Sequence, residues 1–274
     1  MQFFKYQGAG NDFIMFDNRA GNFSSFSSDD VASMCNRKYG IGADGIILLE
    51  CDSNTPYMRY FNADGSHASF CGNGGRCFAL FAHHLGLSRK CDGVALITFT
   101  ADDGKHEAAI YSEDKIQISM RSVQDIYSCN SCIVLDTGVP HGVVFTPNIN
   151  DCNVVEDGRK IRNDRQVNVD FVERVSDDTI RLRTYERGVE DETDACGTGA
   201  VAAAIATVIS STKTATRDFM TDFGMYEINV ETKTTTLKVY FTLENTLENT
   251  LENKTVKNII LEGPATRVFE GIYK

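Results

Sequence analysis

The hydrophobic and polar positions change period several times along the chain, and each change predicts an element. Residues 2–17 mix aromatic and β-branched side chains on both sides of Gly8-Ala9-Gly10-Asn11-Asp12, which reads as strand, loop, strand. Ser27 and Ser28 ahead of Asp29-Asp30 have the composition of a helix start. Val31, Met34, Cys35 and Lys38 keep helical spacing as far as Gly40. Short apolar runs at 45–50 and 58–62 predict strands, the second ending in the turn Asn62-Ala63-Asp64-Gly65. The glycine-rich segment Cys71-Gly72-Asn73-Gly74-Gly75-Arg76-Cys77 runs straight into a helical pattern that continues over 78–87, with Cys77, Leu80, Phe81 and Leu85 on one face. Alternation at 95–99, 107–111 and 115–120 predicts antiparallel strands turned at Asp102-Asp103-Gly104 and Glu113-Asp114.

The pattern then starts again. Strands are expected at 132–136 and 142–146, with Val139-Pro140-His141 between them, and a short helix at 154–159. Alternating runs at 166–174 and 179–185 lead through Glu186-Arg187-Gly188 and an acidic loop to Ala195-Cys196-Gly197-Thr198-Gly199. A helix of small residues over 200–209 follows, then strands at 225–230, 236–242, 256–262 and 266–272. Residues 242–253 read Thr-Leu-Glu-Asn three times over. A period of four suits no strand and carries little core, so a loop extension is expected there.

Composition narrows the class. With 274 residues, 42% hydrophobic, 24% charged and 22 Gly against 4 Pro, the chain has the profile of a soluble globular protein. Its longest apolar stretch, 200–209, is half the ~20 residues that cross a bilayer, so no membrane partner is expected. A formal net charge of −11 and the lack of a Lys/Arg-rich run argue against a nucleic-acid partner, because phosphate contacts need a basic footprint. Nine cysteines, an odd number, behind an opening with no signal-like segment point to the reducing cytoplasm.

Two of those cysteines stand apart. Cys-Gly-x-Gly occurs at Cys71-Gly72-Asn73-Gly74 and again at Cys196-Gly197-Thr198-Gly199, about half a chain later. Each copy follows strands and opens a helix. A helix N-terminus has unpaired N–H groups and the positive end of the dipole, so it stabilises a thiolate and also cradles a carboxylate. Glycine at the second and fourth positions is expected to let a ligand approach the bare backbone. Two acid–base thiols on opposite faces of one carbon would invert it: one removes a proton while the other delivers one. The growing enolate-like charge would be met by the helix N–H donors. Nothing in this chemistry demands a cofactor or a metal. No GxxxxGK[ST] loop is present, and Gly8-Ala9-Gly10 lacks the third glycine of a dinucleotide fingerprint. Cys129-Asn130-Ser131-Cys132 has no second C-x-x-C and no nearby His for zinc.

Several segments together resemble the diaminopimelate epimerase family. They are Gly10-Asn11-Asp12-Phe13, Phe61-Asn62-Ala63-Asp64-Gly65-Ser66, the Cys71–Cys77 motif, Pro140-His141, Tyr185-Glu186-Arg187-Gly188, the Cys196 motif, Gly263-Pro264-Ala265 and Val268-Phe269-Glu270-Gly271. The resemblance implies interconversion of LL- and meso-2,6-diaminopimelate without a cofactor, on the route to lysine and peptidoglycan precursors. It implies Cys71 and Cys196 as the catalytic thiols. Gly72, Asn73, Gly197 and Thr198 would cradle the reacting carboxylate, and Asn11, Asn62, Asn168, Glu186 and Arg187 would bind the rest of the substrate. His141 and Glu186 would tune the thiols. The implied fold is of α/β class, α+β in type: two similar lobes, each a curved, mainly antiparallel sheet wrapped around a central helix. The lobes would span 1–120 plus 263–274 and 121–262. A homodimer is implied, with Phe269 in the strand associated with its contact. Val139 stands where many members carry Asn, and Gly45 where many carry Gln.

Two other classes fit parts of the pattern. A cysteine-pair proline or hydroxyproline racemase shares the thiols, but its substrate has no charged distal end for Glu186-Arg187 and the asparagines. A non-enzymatic zinc or redox protein would rest on Cys129 and Cys132 alone.

Overall fold

Strand pairing repeats itself in two halves of the chain. The computed structural model describes residues 1–23, 26–53, 55–129, 132–211, 224–244 and 254–274. They form two units, Met1–Ile118 with Gly263–Lys274, and Ser119–Glu262.

The first unit holds β1 (Gln2–Gly8), β2 (Asn11–Asp17), α1 (Ser28–Cys35), β3 (Gly45–Asp52), β4 (Thr55–Asn62), β5 (His67–Ala68), α2 (Gly72–His84), β6 (Arg89–Cys91), β7 (Val94–Ala101), β8 (Gly104–Ser112) and β9 (Lys115–Ser119). The second holds β10 (Tyr127–Cys129), β11 (Cys132–Asp136), β12 (Pro140–Phe145), α3 (Val154–Arg165), β13 (Asn168–Arg174), β14 (Thr179–Glu186), β15 (Asp191–Thr193), α4 (Gly197–Ile209), β16 (Tyr226–Glu231), β17 (Thr236–Glu244) and β18 (Thr255–Gly263). The last strand, β19 (Thr266–Ile272), returns to the first unit and pairs antiparallel with β1.

In the first unit the ladder runs β19-β1-β2-β3-β4-β7-β8-β9, parallel at β2–β3 and β4–β7 and antiparallel elsewhere. In the second it runs β10-β11-β12-β13-β14-β16-β17-β18, parallel at β12–β13 and β14–β16. The order of antiparallel and parallel pairings is the same in both. α1 and α3 make the equivalent parallel crossovers. The hairpins β4–β5 and β14–β15 lead to the two Cys-Gly-x-Gly segments. The duplication read from one short motif is therefore carried by the topology of both halves.

Each unit packs its sheet around one helix. α2 touches strands from β19 and β1 through to β8, and α4 touches β11 through β14, β16 and β17. A sheet whose successive strands all meet the same helix has to curve around it. The helix must then be apolar, or internally satisfied, on every side. All thirteen residues of α4 are buried, and its alanines let strands approach closely all round. α2 is buried from Gly72 through Ala82 and includes Arg76 among them. This is the α/β class, two-unit architecture expected from the sequence.

The differences from the sequence reading have local causes. Both buried helices open at the Cys-Gly-x-Gly segments, as expected, but at Gly72 and Gly197, ahead of their apolar periodicity, because the cysteine itself is the N-cap. α1 ends at Cys35, short of Gly40. The Asn36 side chain accepts from the N–H groups of Lys38 and Tyr39 and so turns the chain out of the helix. α3 runs on to Arg165, and Gln166 is its left-handed cap (φ 59°) rather than the start of a strand. Pro140 and His141 lie inside β12, not between strands. Of the threefold Thr-Leu-Glu-Asn stretch, residues 242–244 finish β17 and the remainder lies outside the described residues. Gly45 is dictated by packing, since a Cβ there would sit 2.5 Å from the Phe61 carbonyl oxygen.

Candidate active site

Cys71 ends an extended approach (φ −141°, ψ 124°) and caps α2. Its Sγ accepts from the N–H of Gly74 at 3.4 Å. The part-buried thiol also lies 3.6 Å from Asn11 Oδ1. Asn11 is oriented by donating through Nδ2 to Asp44 at 2.7 Å. Behind it stands a charge network. Arg37 pairs with Asp12 and Asp44, and the buried Lys5 ammonium pairs with Asp12 at 2.7 Å and donates to the Gly42 carbonyl. Arg76, one turn into α2, has no exposed surface. It donates to the carbonyls of Pro264 and Gly72 and to Asn73 Oδ1. Its guanidinium thus fixes the Asn73 amide and ties the returning C-terminal segment to the helix start. Asn62 closes β4 and donates to Ser66 Oγ.

Cys196 caps α4 in the same way, with φ −108°, ψ 114° and Sγ accepting from Gly199 N–H at 3.4 Å. It is more enclosed, at 7% exposure. Its Sγ lies 3.3 Å from Thr198 Oγ1, and His141 Nε2 meets the same hydroxyl at 3.0 Å. His141 Nδ1 sits 2.7 Å from Asp170. Glu186, at the end of β14, accepts from Thr193 and also faces the Cys196 thiol. Asn168 accepts the main-chain N–H of Arg187 at 2.8 Å, and the exposed Arg187 donates to the Gln166 carbonyl.

In both helices the thiol takes the third N–H. The N–H groups of Gly72 and Asn73, and of Gly197 and Thr198, precede the first intrahelical bond. The fourth-position glycines do something different from what their spacing suggested. A Cβ on Gly74 would meet Ile47 and Met58 at 3.0 and 3.2 Å, and one on Gly199 would lie 2.5 Å from Asp170 Oδ1. These glycines admit the protein's own side chains.

Electrostatics separate the two motifs. A helix N-terminus alone would lower a thiol, but Cys196 is pushed well above its ordinary value. Burial is the main cause, followed by the Glu186 and Asp170 carboxylates. The Thr198 hydroxyl and the Gly199 N–H only partly oppose them. The Glu186 carboxyl is itself raised by burial, against the pull of Thr193 and His141. Arg76 is brought down by burial to about 10, while Cys77 and Cys71 pull the other way.

Of the residues singled out in the sequence, Asn11 groups with Cys71. His141, Glu186 and Thr198 group with Cys196, and Asn168 holds the backbone beside Glu186. Lys5, Asp12, Arg37, Asp44, Arg76, Asp170 and Thr193 went unassigned. Asp170 carried no readable signal: it shares the polar positions of the alternating run with Gln166 and Asn168, which read as a solvent face, and only the structure shows it buried. Cys129 and Cys132 face each other across β10–β11, while Asn130 and Ser131 lie outside the described residues. Among the described residues, no group of three or more His, Cys, Asp or Glu is placed to hold a metal ion. No helix there is long and apolar enough to cross a membrane.

Comparison with known proteins places this arrangement. The model of the diaminopimelate epimerase family matches residues 3–124 and 133–245. The chain belongs to the diaminopimelate epimerase family. The diaminopimelate epimerase of Flavobacterium psychrophilum is 40% identical over 276 residues, covering 98% of this chain and 99% of the relative. That of Chlorobaculum tepidum is 41% identical over 209 residues, covering 72% and 80%. Among solved structures, the hydroxyproline epimerase of Agrobacterium vitis superposes with a TM-score of 0.70 at 13% identity, covering 99% of this chain and 91% of that one. That likeness is one of fold.

The network behind Asn11 sets an acid limit on the stability of this chain. Burial pushes the Asp12 carboxyl up, but hydrogen bonds and charge from Arg37 and Lys5 outweigh it and bring it from 3.8 to about 2. The folded value lies below the unfolded one. The contribution of this group, roughly 2 kcal/mol, is therefore present above the unfolded value and lost as the pH falls through the folded one. Asp12→Asn is expected to be less stable than the parent near neutral pH and to converge with it in acid, as read from urea unfolding across the acid range. An equal stability gap at every pH would contradict this.

Proposed function

We propose that this chain interconverts LL- and meso-2,6-diaminopimelate by cofactor-independent proton transfer at the α-carbon. The observation that carries the reading is the duplicated cap: in each half, the hairpin that turns after Asn62 or Glu186 delivers a cysteine to the N-terminus of a buried helix. Cys71 and Cys196 are the two bases, acting on opposite faces of the substrate carbon. One thiolate takes the α-proton while the other thiol gives its own, and the centre inverts. The substrate carboxylate is held by the N–H groups of Gly72, Asn73, Gly197 and Thr198, where charge growing on the enolate-like transition state meets preorganised donors. Asn11, Asn62, Asn168, Glu186 and Arg187 bind the remainder of the substrate. Arg187 suits the distal carboxylate, which a guanidinium can bind as a fork. The reaction class belongs to the lysine and peptidoglycan-precursor route, and the odd cysteine count fits the cytoplasm.

A second reading, proline or hydroxyproline racemisation, is favoured only by the shared fold of the Agrobacterium vitis protein. Such a substrate has no charged distal end for Arg187 and the asparagines to bind.

We further propose a homodimer through β19. Among the described residues this strand pairs only with β1, and it exposes Val268, Phe269 and Ile272 at 54%, 46% and 75%. Sedimentation of the purified chain at twice the monomer mass is expected, and a monomer that persists at micromolar concentration would remove this assignment.

Incubation with LL-diaminopimelate in deuterium oxide is expected to give the meso isomer with solvent deuterium at the inverted carbon. Cys71→Ala and Cys196→Ala are each expected to lower turnover by at least ~10²-fold. Turnover retained in either variant contradicts the two-thiol mechanism. Faster turnover of hydroxyproline than of diaminopimelate would establish the second reading instead.

A further inference from the structure

Cys196 stands at one end of a buried line of polar side chains that reaches two strands into the sheet. Its Sγ is 3.3 Å from Thr198 Oγ1, which is 3.0 Å from His141 Nε2. His141 Nδ1 is 2.7 Å from Asp170 Oδ2, and Thr184 Oγ1 donates to the other Asp170 oxygen at 2.7 Å. The His141 and Asp170 side chains have no exposed surface. Strand register builds the line. Asp170 lies directly opposite Thr184 across β13–β14, and the parallel β12–β13 ladder sets His141 beside Asn168, two residues before Asp170 on the same face. Gly199 leaves the space that Asp170 Oδ1 occupies.

With Asp170 ionised and His141 neutral, the hydrogen bonds of the line run in one direction. An ionised Asp170 only accepts, so it takes the Thr184 hydroxyl proton on one oxygen and a proton from His141 Nδ1 on the other. Neutral His141 is thereby held as the Nδ1–H tautomer, with its Nε2 lone pair facing Thr198. The Thr198 hydroxyl donates to Nε2 and turns its own lone pair to the Cys196 S–H. The other groups facing Cys196 are the Glu186 carboxyl, held by Thr193, and the N–H of Gly199. A thiol enclosed with two carboxyl groups holds its proton tightly, and a base made from it needs somewhere to put that proton.

We propose that Asp170 is a positioning residue which, by fixing the His141 tautomer, makes His141 the proton store of Cys196, reached through the Thr198 hydroxyl. The S–H bond of Cys196 breaks as its proton passes to Thr198 Oγ1, and the Thr198 O–H bond breaks as that proton passes to His141 Nε2. This leaves a thiolate, an imidazolium and the Asp170 carboxylate. The reverse transfer returns that proton to the sulfur and restores the thiol, which is the form that acts as acid in the opposite direction. The proposal rests on the reading of Cys196 as an acid–base thiol and adds to it a role for the Thr198 side chain distinct from that of its backbone N–H.

The test uses the full chain with Asp170→Asn, Thr198→Val and Thr198→Ser, read by steady-state kinetics on LL-diaminopimelate and by ¹⁵N NMR of the His141 ring. An asparagine amide that donates to Nδ1 forces the Nε2–H tautomer, as in the analogous change in the Ser-His-Asp triad. Asp170→Asn is therefore expected to lower kcat by ~10²–10⁴-fold with KM held within about 3-fold. The NMR spectrum is expected to show Nδ1–H in the parent and Nε2–H in Asp170→Asn. Thr198→Val is expected to lose about 10²-fold in kcat, and Thr198→Ser to stay within about 10-fold of the parent. An Nε2–H tautomer in the parent, an Asp170→Asn enzyme with undiminished kcat, or equal activity of the Val and Ser variants would overturn the proposal. If Asp170→Asn does not fold, the parent tautomer and the Thr198 pair decide. A parent inactive on diaminopimelate would count against the proposed substrate, while the parent tautomer would still decide the positioning role of Asp170.

Discussion

A sulfur atom accepting the third N–H of a buried helix is the contact on which the proposed chemistry depends. Serine, threonine, aspartate and asparagine are the preferred caps, and thiol sulfur is a weaker acceptor than any of their oxygens. Both units nonetheless place cysteine there, at 3.4 Å from Gly74 or Gly199. The rest of each unit supports that placement. The hairpin before the cysteine sets its extended backbone, and the sheet curved around the helix keeps the helix start fixed. The glycine at the capped position lets neighbouring side chains close in behind it.

The two halves copy one topology and diverge in charge. Around Cys71 stand Asn11, which the Asp44 carboxylate orients, and the interior guanidinium of Arg76. Around Cys196 stand Glu186, Asp170 and His141, with Thr198 between the histidine and the sulfur. Burial is costly for any charge, and two carboxyl groups make it costlier for a thiolate. The second motif therefore holds its proton firmly, and its histidine meets the sulfur through the Thr198 hydroxyl. A pair of identical caps in unlike electrostatic surroundings suits a reaction in which one thiol must be charged while the other is not.

Much of this was legible in the residues. Period-two alternation located most of the strands that form the two ladders, and the recurrence of Cys-Gly-x-Gly revealed the duplication. What the chain order concealed were properties of register. Pro140 and His141 read as a loop because proline interrupts a run, yet β12 begins there. That shift of one strand start brings His141 alongside Asn168 and Asp170. The two cysteines read as helix N-termini, where they stand, but the apolar periodicity begins only at 78 and 200 because glycine is a poor helix former, and only the packing around Gly74, Gly75 and Gly199 explains why nothing larger fits. The charge network of Lys5, Asp12, Arg37 and Asp44 joins residues from β1, β2 and the segment after α1, and no local spacing links them.

Whether both cysteines serve one substrate is decided most directly by protection from alkylation. The chain would be treated with iodoacetamide, with and without saturating diaminopimelate, and each cysteine followed by peptide mass spectrometry. Substrate is expected to slow labelling of both Cys71 and Cys196, leaving the exposed Cys51 and Cys91 labelled at the same rate. Protection of only one of the two cap cysteines, or of neither, would contradict the assignment.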